Sequence, residues 1–295
     1  MTIRFIDLFA GIGGFRYGLE KTKGYECVYS NEWDKYAAQI YTKHFGKCDT
    51  SDIRTVKTNE LPDFDLLVGG FPCQAFSIAG KRKGFDDTRG TLFFEIARIL
   101  ADKRPRYFIL ENVKGLLSHD EGKTFQTILG VLTDLGYEYQ WQVLNSKNFG
   151  VPQNRERVFI IGNLRGESRP KVFPVGEQGK ETMDSGQVAG TLQADYFKGD
   201  RTGGYAIETQ RYPLKFAKRN QKNIDGDYSF TVDGANTGGV KQDMKIRRLT
   251  PTECERLQGF PDGWTEGISD TQRYKCLGNA VTTNVVTWIG QQLII

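Results

Sequence analysis

Residues 1–165 alternate between short apolar runs and longer amphipathic segments, and this alternation limits the fold more than any other feature of the chain. Short apolar runs predict buried strands, and apolar residues at helical spacing predict helices. Their alternation is typical of an α/β fold with a doubly wound, mostly parallel sheet covered on both faces. No helix separates the last two strands, which allows one antiparallel edge. The predicted strands are 3–9, 26–30, 65–69, 107–111, 138–144 and 158–162, and the predicted helices are 14–21, 35–44, 92–101 and 125–135.

The alternation ends near residue 165, and a polar, glycine-punctuated segment follows over 166–246. Its aromatic residues argue against disorder, because disordered segments are poor in aromatic side chains. We therefore predict a second, smaller domain there, mostly β or irregular. The TPTE stretch that begins at Thr250 has the pattern of a helix capping box with proline at the first helical position. Residues 247–271 are predicted to form a hinge and a connecting helix, and residues 272–295, with a last helix at 283–293, complete the first domain.

The composition favours a soluble enzyme in a reducing compartment. The net charge of +4 permits a nucleic-acid partner without requiring one. No apolar run is long enough to span a membrane, and no secretory signal pattern is present. The five cysteines contain no CxxC pair, and only two histidines are present, so neither a disulfide framework nor a metal site is predicted. Unpaired thiols suit the cytoplasm.

The stretch GGFPCQ places Cys73 at a stiff turn directly after the predicted strand 65–69. Pro72 fixes its own φ and restricts Phe71 to an extended conformation. Ligands of open α/β sheets bind at strand ends, so Cys73 stands where a nucleophile would be useful. The alternative is a small core residue, because free cysteine is often buried. An isolated Pro-Cys pair would favour that alternative, and the other motifs of the chain reverse the preference.

Two strand ends indicate a nucleoside-containing cofactor. The strand 3–9 runs into the glycine-rich turn FAGIGG and then into a helix, and glycine lets a ligand approach the backbone closely. The spacing is not GxGxxG, and no phosphate-binding lysine follows. After the next strand, Glu32 suits a ribose diol and Trp33 can stack on an adenine, although Glu32 alone could be a solvated charge. Asp52 could accept from an exocyclic amine, and Ile53 could contact the ring.

Glu111 ends another predicted strand, and a right-handed crossover would bring it to the same sheet edge as Cys73. A carboxyl beside a thiolate can act as an acid and nucleophile pair. An equally good interpretation is that this Glu-Asn pair caps a helix. Arg155 and Arg157 share a face if the chain is extended. Paired guanidiniums suit a phosphate, a carboxylate or a polarised carbonyl oxygen, although alone they most often form surface salt bridges. The basic loop 77–89 could be a lid that touches phosphates, or simply a solvated surface.

Taken together, these motifs resemble the DNA cytosine-5 methyltransferase family, of the bacterial modification type. The resemblance spans the chain except for about 165–244, where this family varies and reads its target. Ser51 stands where relatives often have glycine, and Ala280 is serine in some relatives, and neither departure touches the proposed chemistry. The matches in chain order are FAGIGG (9–14), NEW (31–33), PCQ (72–74), ENV (111–113), QxRxR (153–157), RLTP (248–251), RLQGFP (256–261) and GNAV (278–281).

The resemblance implies a Rossmann-like methyltransferase fold, with S-adenosylmethionine as methyl donor and a flipped-out cytosine in double-stranded DNA as acceptor. It implies a Cys73 thiolate that attacks carbon-6 and a Glu111 proton donor at N3. Arg155 would donate to the exocyclic carbonyl, supported by Arg157. The implied cofactor-binding residues are Asp7, Phe9, Ala10, Gly11, Ile12, Gly13, Gly14, Glu32, Trp33, Asp52, Ile53, Pro72, Leu92, Asn279, Ala280 and Val281. The implied DNA contacts are Ser77, Lys81, Arg82, Lys83, Arg89, Gln153 and Thr231.

Three alternatives stay open at this point. An RNA cytosine methyltransferase has the same fold, but that branch tends to lack a sizeable insert such as 166–246. An inactive DNA-binding regulator would be free to lose Cys73, Glu111 and Arg155, which are all present. A nicotinamide-dependent dehydrogenase is suggested by the glycine turn alone and leaves the PCQ motif unexplained. We expect a monomer, with a restriction endonuclease as a functional partner.

Overall fold

The computed structural model describes residues 2–72, 92–167, 172–173, 240–242, 245–247 and 249–293. The chain forms two compact units. The first comprises residues 1–144, 156–176 and 286–295, and the second comprises 145–155 and 177–285. The predicted second domain, 166–246, falls mostly outside the described residues.

A six-stranded mixed sheet forms the centre of the first unit. Its strands in chain order are β1 (Ile3–Leu8), β2 (Tyr25–Asn31), β3 (Leu66–Gly70), β4 (Tyr107–Val113), β5 (Tyr137–Asn145) and β6 (Glu156–Leu164). Across the sheet the order is β2-β1-β3-β4-β6-β5. The β2–β1, β1–β3 and β3–β4 pairs are parallel, whereas β6 runs antiparallel to β4. The predicted α/β class, with a mostly parallel sheet, is therefore confirmed.

Helices cover both faces of this sheet. The helices of the first unit are α1 (Gly14–Glu20), α2 (Lys35–Phe45), α3 (Leu92–Lys103) and α4 (Lys123–Asp134), and within the described residues the chain also forms α5 (Pro251–Leu257), α6 (Asp270–Asn279) and α7 (Thr283–Leu293). On one face, Ile6 and Leu8 of β1 belong to an apolar core with Phe93 of α3 and Ile128 of α4. Alternation along the strand sends the side chains between them to the opposite face.

The end of α7 packs on the opposite face of the sheet, against α1 and β2. The Tyr25 hydroxyl donates to the Gly290 carbonyl at 2.7 Å, and the Thr287 hydroxyl donates to the Gly18 carbonyl at 2.8 Å. Residues 286–295 thus belong to the first unit.

The second unit is described mainly through α5, α6 and the loop between them. The capping box at the start of α5 is confirmed: Thr250 Oγ1 accepts from the Glu253 amide at 3.2 Å, and the Glu253 carboxylate accepts from the Thr250 amide at 2.6 Å. Further upstream, β7 (Val240–Gln242) pairs antiparallel with β8 (Lys245–Arg247).

Helix α6 was not predicted, because its sequence is polar and lacks a clear apolar stripe. A buried ion pair stabilises it instead. Glu255 of α5 is fully buried and accepts from Arg273 Nη2 of α6 at 3.1 Å. The same carboxylate accepts from the amides of Gly263 and Thr265, both at 2.7 Å, which fixes the loop between the helices. This contact joins residues far apart in the chain, so local spacing does not reveal it.

Candidate active site

The glycine-rich turn after β1 depends on left-handed backbone. Phe9, Gly11 and Gly13 have φ values of 55°, 56° and 87°, and α1 begins directly afterwards at Gly14. A side chain at Gly13 would also collide with α2, since an added Cβ would lie 2.2 Å from a ring carbon of Phe45. Only glycine satisfies both conditions at this position. The turn therefore keeps the backbone between β1 and α1 open to a ligand.

Glu32 lies beside this turn, as the sequence predicts. Its Oε2 accepts from the Gly11 amide at 2.8 Å, and its Oε1 accepts from the Asp34 amide at 2.7 Å. These two contacts fix the carboxylate beside the turn, and a carboxylate oxygen can accept more than one hydrogen bond. The neighbouring Trp33 is 71% exposed, so its ring face is accessible for stacking. Glu32 and Trp33 together suit the ribose and the base of a nucleoside.

The turn that carries Asp52 and Ile53 is tied to both β2 and α3. The Asn31 amide of β2 donates to the Ser51 carbonyl at 3.0 Å, and Arg98 of α3 donates to the Ile53 carbonyl at 3.1 Å. Asp52 forms an ion pair with Arg54, whose hydrogen bonds lower the pKa of the Asp52 carboxyl to about 2. Ile53 is buried in the core. Asp52 is thus ionised, and it already shares its oxygens with Arg54.

Asp7 is a fully buried carboxyl on β1, and neither of its oxygens has a hydrogen-bond partner among the described residues. Burial raises its pKa to about 8, against the opposing effect of the Arg16 guanidinium. Glu32 and Glu20 raise the pKa further. The side chain is therefore mostly protonated at neutral pH, because the cost of burying the charge outweighs the favourable effect of Arg16.

We predict that Asp7 makes stability depend on pH. The unfolded chain loses this proton near the ordinary pKa of 3.8, whereas the folded chain keeps it to about pH 8. Between those values the folded state binds more protons, so the free energy of unfolding falls as pH rises and levels off above about pH 8. Asp7→Asn should remove this slope. Urea unfolding of both proteins between about pH 5 and 9 measures it, and parallel curves would contradict the prediction.

The ends of β3 and β4 form the edge at which the sequence places the chemistry. Gly70 of β3 lies opposite Glu111 of β4 in the parallel register. An added Cβ at Gly70 would lie 3.3 Å from Glu111 Oε2, so the glycine leaves room for the carboxylate. Phe71 and Pro72 continue from this strand end. The backbone thus confirms the prediction that the ends of these two strands lie side by side.

Glu111 forms an ion pair with Arg157 at this edge. Arg157 Nε lies 3.1 Å from Glu111 Oε1, and the two side chains are only 14% and 12% exposed, respectively. Burial lowers the pKa of Arg157, and the nearby Glu111 opposes that change. In β6, Arg157 lies opposite Val113, which places it on the same face of the sheet as Glu111. A mostly buried carboxyl beside a guanidinium can hold a polar ring whose edge carries both a donor and an acceptor.

Arg155 has different partners from Arg157. It is only 1% exposed, and its Nη2 donates to the carbonyls of Gly278 and Ala280, both at 2.9 Å. These carbonyls belong to the last turn of α6 and the residue after it. Arg155 therefore holds the end of α6 within the second unit.

Gln153 and Asn279 lie in the second unit. Gln153 is fully buried, and its amide donates to the Leu257 carbonyl at 2.8 Å, so it packs against α5. Asn279 is the last residue of α6. Asn279 is exposed, while Ala280 and Val281 are buried.

Several predicted residues lie in parts of the chain that the structure does not describe. Cys73 and the basic loop after it fall within residues 73–91, and Leu92 begins α3 directly afterwards, packed against the core. Of the predicted set, those outside the described residues are Cys73, Ser77, Lys81, Arg82, Lys83, Arg89 and Thr231.

In the ENV motif, the sequence assigns a role in the chemistry to Glu111, and to Asn112 only the alternative of helix capping. The structure shows its side chain buried at the same sheet edge, with its amide donating to the Phe71 carbonyl at 2.8 Å. The signal in the sequence is its position next to Glu111, since consecutive strand residues face opposite sides of a sheet.

Two further classes of site receive no support from the described residues. Within that part of the chain, no group of three or more histidine, cysteine, aspartate or glutamate side chains could hold a metal ion. The helices there are also too short or too polar to cross a membrane.

The chain is similar to known proteins over nearly its whole length. A model of the family "C-5 cytosine-specific DNA methylase" matches residues 3–233 and 196–294. The chain is 41% identical over 308 residues to the Type II methyltransferase M1.ScrFI of Lactococcus lactis subsp. cremoris, covering 99% of this chain and 78% of the relative. It is 39% identical over 309 residues to the Type II methyltransferase M.HhaI of Haemophilus parahaemolyticus, covering 99% and 94%.

Solved structures support the fold. The S. pombe Dnmt2 methyltransferase aligns with a TM-score of 0.69 at 21% identity, covering 99% of this chain and 98% of that one. A mutant of Spodoptera frugiperda DNMT2 aligns with a TM-score of 0.66 at 19% identity, covering both chains completely. The family match over nearly the whole chain, together with relatives at about 40% identity, decides the assignment. The chain belongs to the C-5 cytosine-specific DNA methylase family.

Proposed function

We propose that this DNA cytosine-5 methyltransferase works through a covalent adduct between Cys73 and carbon-6 of a flipped-out cytosine. The enzyme class, the DNA substrate and S-adenosylmethionine as methyl donor follow from the family. The observation that carries the proposed mechanism is the buried Glu111–Arg157 pair at the sheet edge from which Phe71 and Pro72 lead to Cys73.

The proposed chemistry begins with the Cys73 thiolate. Its sulfur forms a bond to carbon-6, the electrons of the carbon-5–carbon-6 double bond form a carbon-4–carbon-5 double bond, and those of the carbon-4–N3 double bond move to N3, which takes up a proton. Glu111 donates that proton, which its carboxyl takes up when the bound cytosine separates it from the Arg157 guanidinium. When bound, S-adenosylmethionine supplies the methyl group that carbon-5 accepts. As the methyl group is accepted, the carbon-4–N3 double bond forms again and the donor leaves as its demethylated thioether. A base then removes the carbon-5 proton, the carbon–sulfur bond breaks to restore the carbon-5–carbon-6 double bond and the thiolate, and N3 returns its proton to Glu111.

We assign the contact to the cytosine carbonyl to Arg157, with Arg155 as a structural residue. Arg157 pairs with Glu111, so one partner can hold N3 while the other donates to the adjacent oxygen. The Nη2 of Arg155 is engaged with the backbone of Gly278 and Ala280. The sequence alone suggests the opposite, with Arg155 as the donor to the carbonyl and Arg157 as its support.

The residues around the glycine turn fit S-adenosylmethionine. Glu32 is fixed by two backbone amides beside the turn, and Trp33 presents an exposed ring. We propose that Glu32 holds the ribose hydroxyls, that Trp33 stacks on the adenine, and that the turn 51–55 borders the base.

Glu32→Ala and Trp33→Ala should each weaken cofactor binding. Loss of the Glu32 carboxylate removes hydroxyl acceptors and also frees the amides that hold the turn, and loss of the indole removes a stacking surface worth about 0.5–1.5 kcal/mol. Titration calorimetry with S-adenosylmethionine measures both. Glu26→Ala, at an exposed glutamate on the same strand, is the matched control. Wild-type affinity in both site variants would exclude this placement.

We propose that residues 166–246 read the DNA sequence, while 1–165 and 272–295 carry cofactor and chemistry, with 247–271 as the hinge. The proposed reader has the aromatic, glycine and basic residues expected of loops that enter a groove. Lys81, Arg82 and Lys83 would mainly attract phosphates, which adds affinity without sequence preference.

Exchanging residues 165–245 for the corresponding segment of a relative with another target should change the methylated site. Bases are read by side chains of the segment that enters the groove, whereas the chemistry uses residues outside it. Methylome sequencing of cells that express an active chimera gives the result. Methylation retained at the original site would place recognition elsewhere.

Bisulfite sequencing of DNA from cells expressing the protein tests the proposed function directly. Protected cytosines in one recurrent sequence are expected, and they should disappear with Cys73→Ser. Protection in RNA but not in DNA would favour the RNA alternative, and binding without protection would favour an inactive regulator. We further propose a monomer that acts in the cytoplasm beside a cognate endonuclease.

A further inference from the structure

We propose that Asn112 is a positioning residue for the covalent step, acting by holding the chain from which Cys73 follows. The inference rests on the proposed function of Cys73. Asn112 is 2% exposed, and its Nδ2 donates to the Phe71 carbonyl at 2.8 Å. Its Oδ1 accepts from the Val113 amide at 2.8 Å. Both ends of the side-chain amide therefore have partners, which a buried amide requires.

The strand geometry gives Glu111 and Asn112 separate tasks. Residues that alternate along a strand face opposite sides, so Glu111 and Val113 share a face with Arg157. Asn112 faces the other side, with Leu110, toward the apolar core. Glu111 is thus presented to the reacting ring, while its neighbour turns inward and bonds to the adjacent strand end.

The hydrogen bond fixes more than one carbonyl. A peptide unit is planar, so holding the Phe71 oxygen sets the plane that includes the nitrogen and Cα of Pro72. The proline ring then fixes φ of Pro72 near −65°. Only ψ of Pro72 remains as a soft dihedral between the held plane and the amide of Cys73. The Phe71 ring is anchored as well, since it packs on Phe93 with the ring centroids 5.5 Å apart.

Asn112 therefore links the two halves of the proposed chemistry. It belongs to the same strand as Glu111, and it holds the residue two positions before Cys73. The register of β3 and β4 already places Gly70 opposite Glu111, and the side-chain contact extends this alignment past the end of β3. Loss of the contact should leave Glu111 and Cys73 present but hold them less firmly relative to each other.

The test is the rate of adduct formation with DNA that contains 5-fluorocytosine, measured under single-turnover conditions with cofactor present. Asn112→Leu keeps the branched shape and the number of heavy atoms of the side chain and removes both the donor and the acceptor. Misplacement of a reacting group by about 1 Å can cost on the order of 10²-fold in rate. We expect a loss of that order, with the affinities for S-adenosylmethionine and for the DNA unchanged.

Asn163→Leu is the matched control. Asn163 is equally buried, its amide donates to the Leu164 carbonyl, and it lies opposite Tyr107 at the far end of β4. This variant should lose stability without slowing the adduct. If Asn112→Leu unfolds at the assay temperature, the near-isosteric Asn112→Asp, which also lacks the donor, replaces it.

The outcomes separate the inference from the function on which it rests. No adduct in the wild-type protein would overturn both. An adduct that forms in the wild type, is absent in Cys73→Ser and forms at the same rate in the folded Asn112 variant would overturn the inference alone. A rate loss matched by an equal loss of affinity, or by an equal rate loss in Asn163→Leu, would also overturn it.

Discussion

Cys73→Ser is expected to abolish the covalent complex with DNA that carries 5-fluorocytosine at the target. The hydroxyl of serine stays protonated near neutral pH and is a far weaker nucleophile than a thiolate, which is the reacting form of cysteine. Fluorine replaces the proton that must leave carbon-5, so an adduct that forms in the wild-type protein cannot resolve. Denaturing electrophoresis of protein with labelled DNA, in the presence of S-adenosylmethionine, shows the complex directly.

Cys48→Ser is the matched control for this experiment. Cys48 is a half-buried thiol outside a disulfide, and its sulfur donates to the backbone carbonyls of Ser30 and Asp49. The control should trap as the wild type does. Normal trapping by Cys73→Ser would exclude Cys73 as the nucleophile, whatever the activity of the protein.

Glu111→Gln is expected to slow the chemical step by about 10²–10⁴-fold, the usual contribution of general acid help. Glutamine keeps the size of the side chain but cannot release a proton to N3. It also removes the charge that faces Arg157, 3.1 Å away in the present ion pair. Cofactor affinity should be unchanged, because the contacts that fix the glycine turn involve Glu32. Rapid-quench measurement of a single turnover isolates this step from product release.

Glu156→Gln serves as the control for Glu111. Glu156 is one residue before Arg157, and its carboxylate forms an exposed ion pair with Lys114 at 2.8 Å. An exposed pair of this kind contributes little, so the rate should stay near that of the wild type. Unchanged single-turnover rates in Glu111→Gln would remove Glu111 from the chemical step and leave it as the partner of Arg157.

The sequence by itself determined the class of fold and the identity of most motifs. The strand and helix alternation over residues 1–165 depends on the spacing of apolar residues, and spacing is a local property. The capping box at Thr250 and the glycine turn after β1 are likewise set by a few consecutive residues. Glu32 was placed correctly beside that turn, since the ends of adjacent parallel strands meet at one edge of a sheet.

Only the tertiary structure decided which side chains meet. Two arginines at consecutive odd positions look equivalent in the sequence, yet Arg157 bonds to Glu111 and Arg155 to the backbone after α6. Asn112 is unremarkable until its amide is seen on the Phe71 carbonyl, and α6 is stabilised by Glu255, which is distant in the chain. Such contacts depend on orientation and on the register between strands and helices. A hydrogen bond needs its partners within about 3 Å and aligned, and no one-dimensional pattern specifies that.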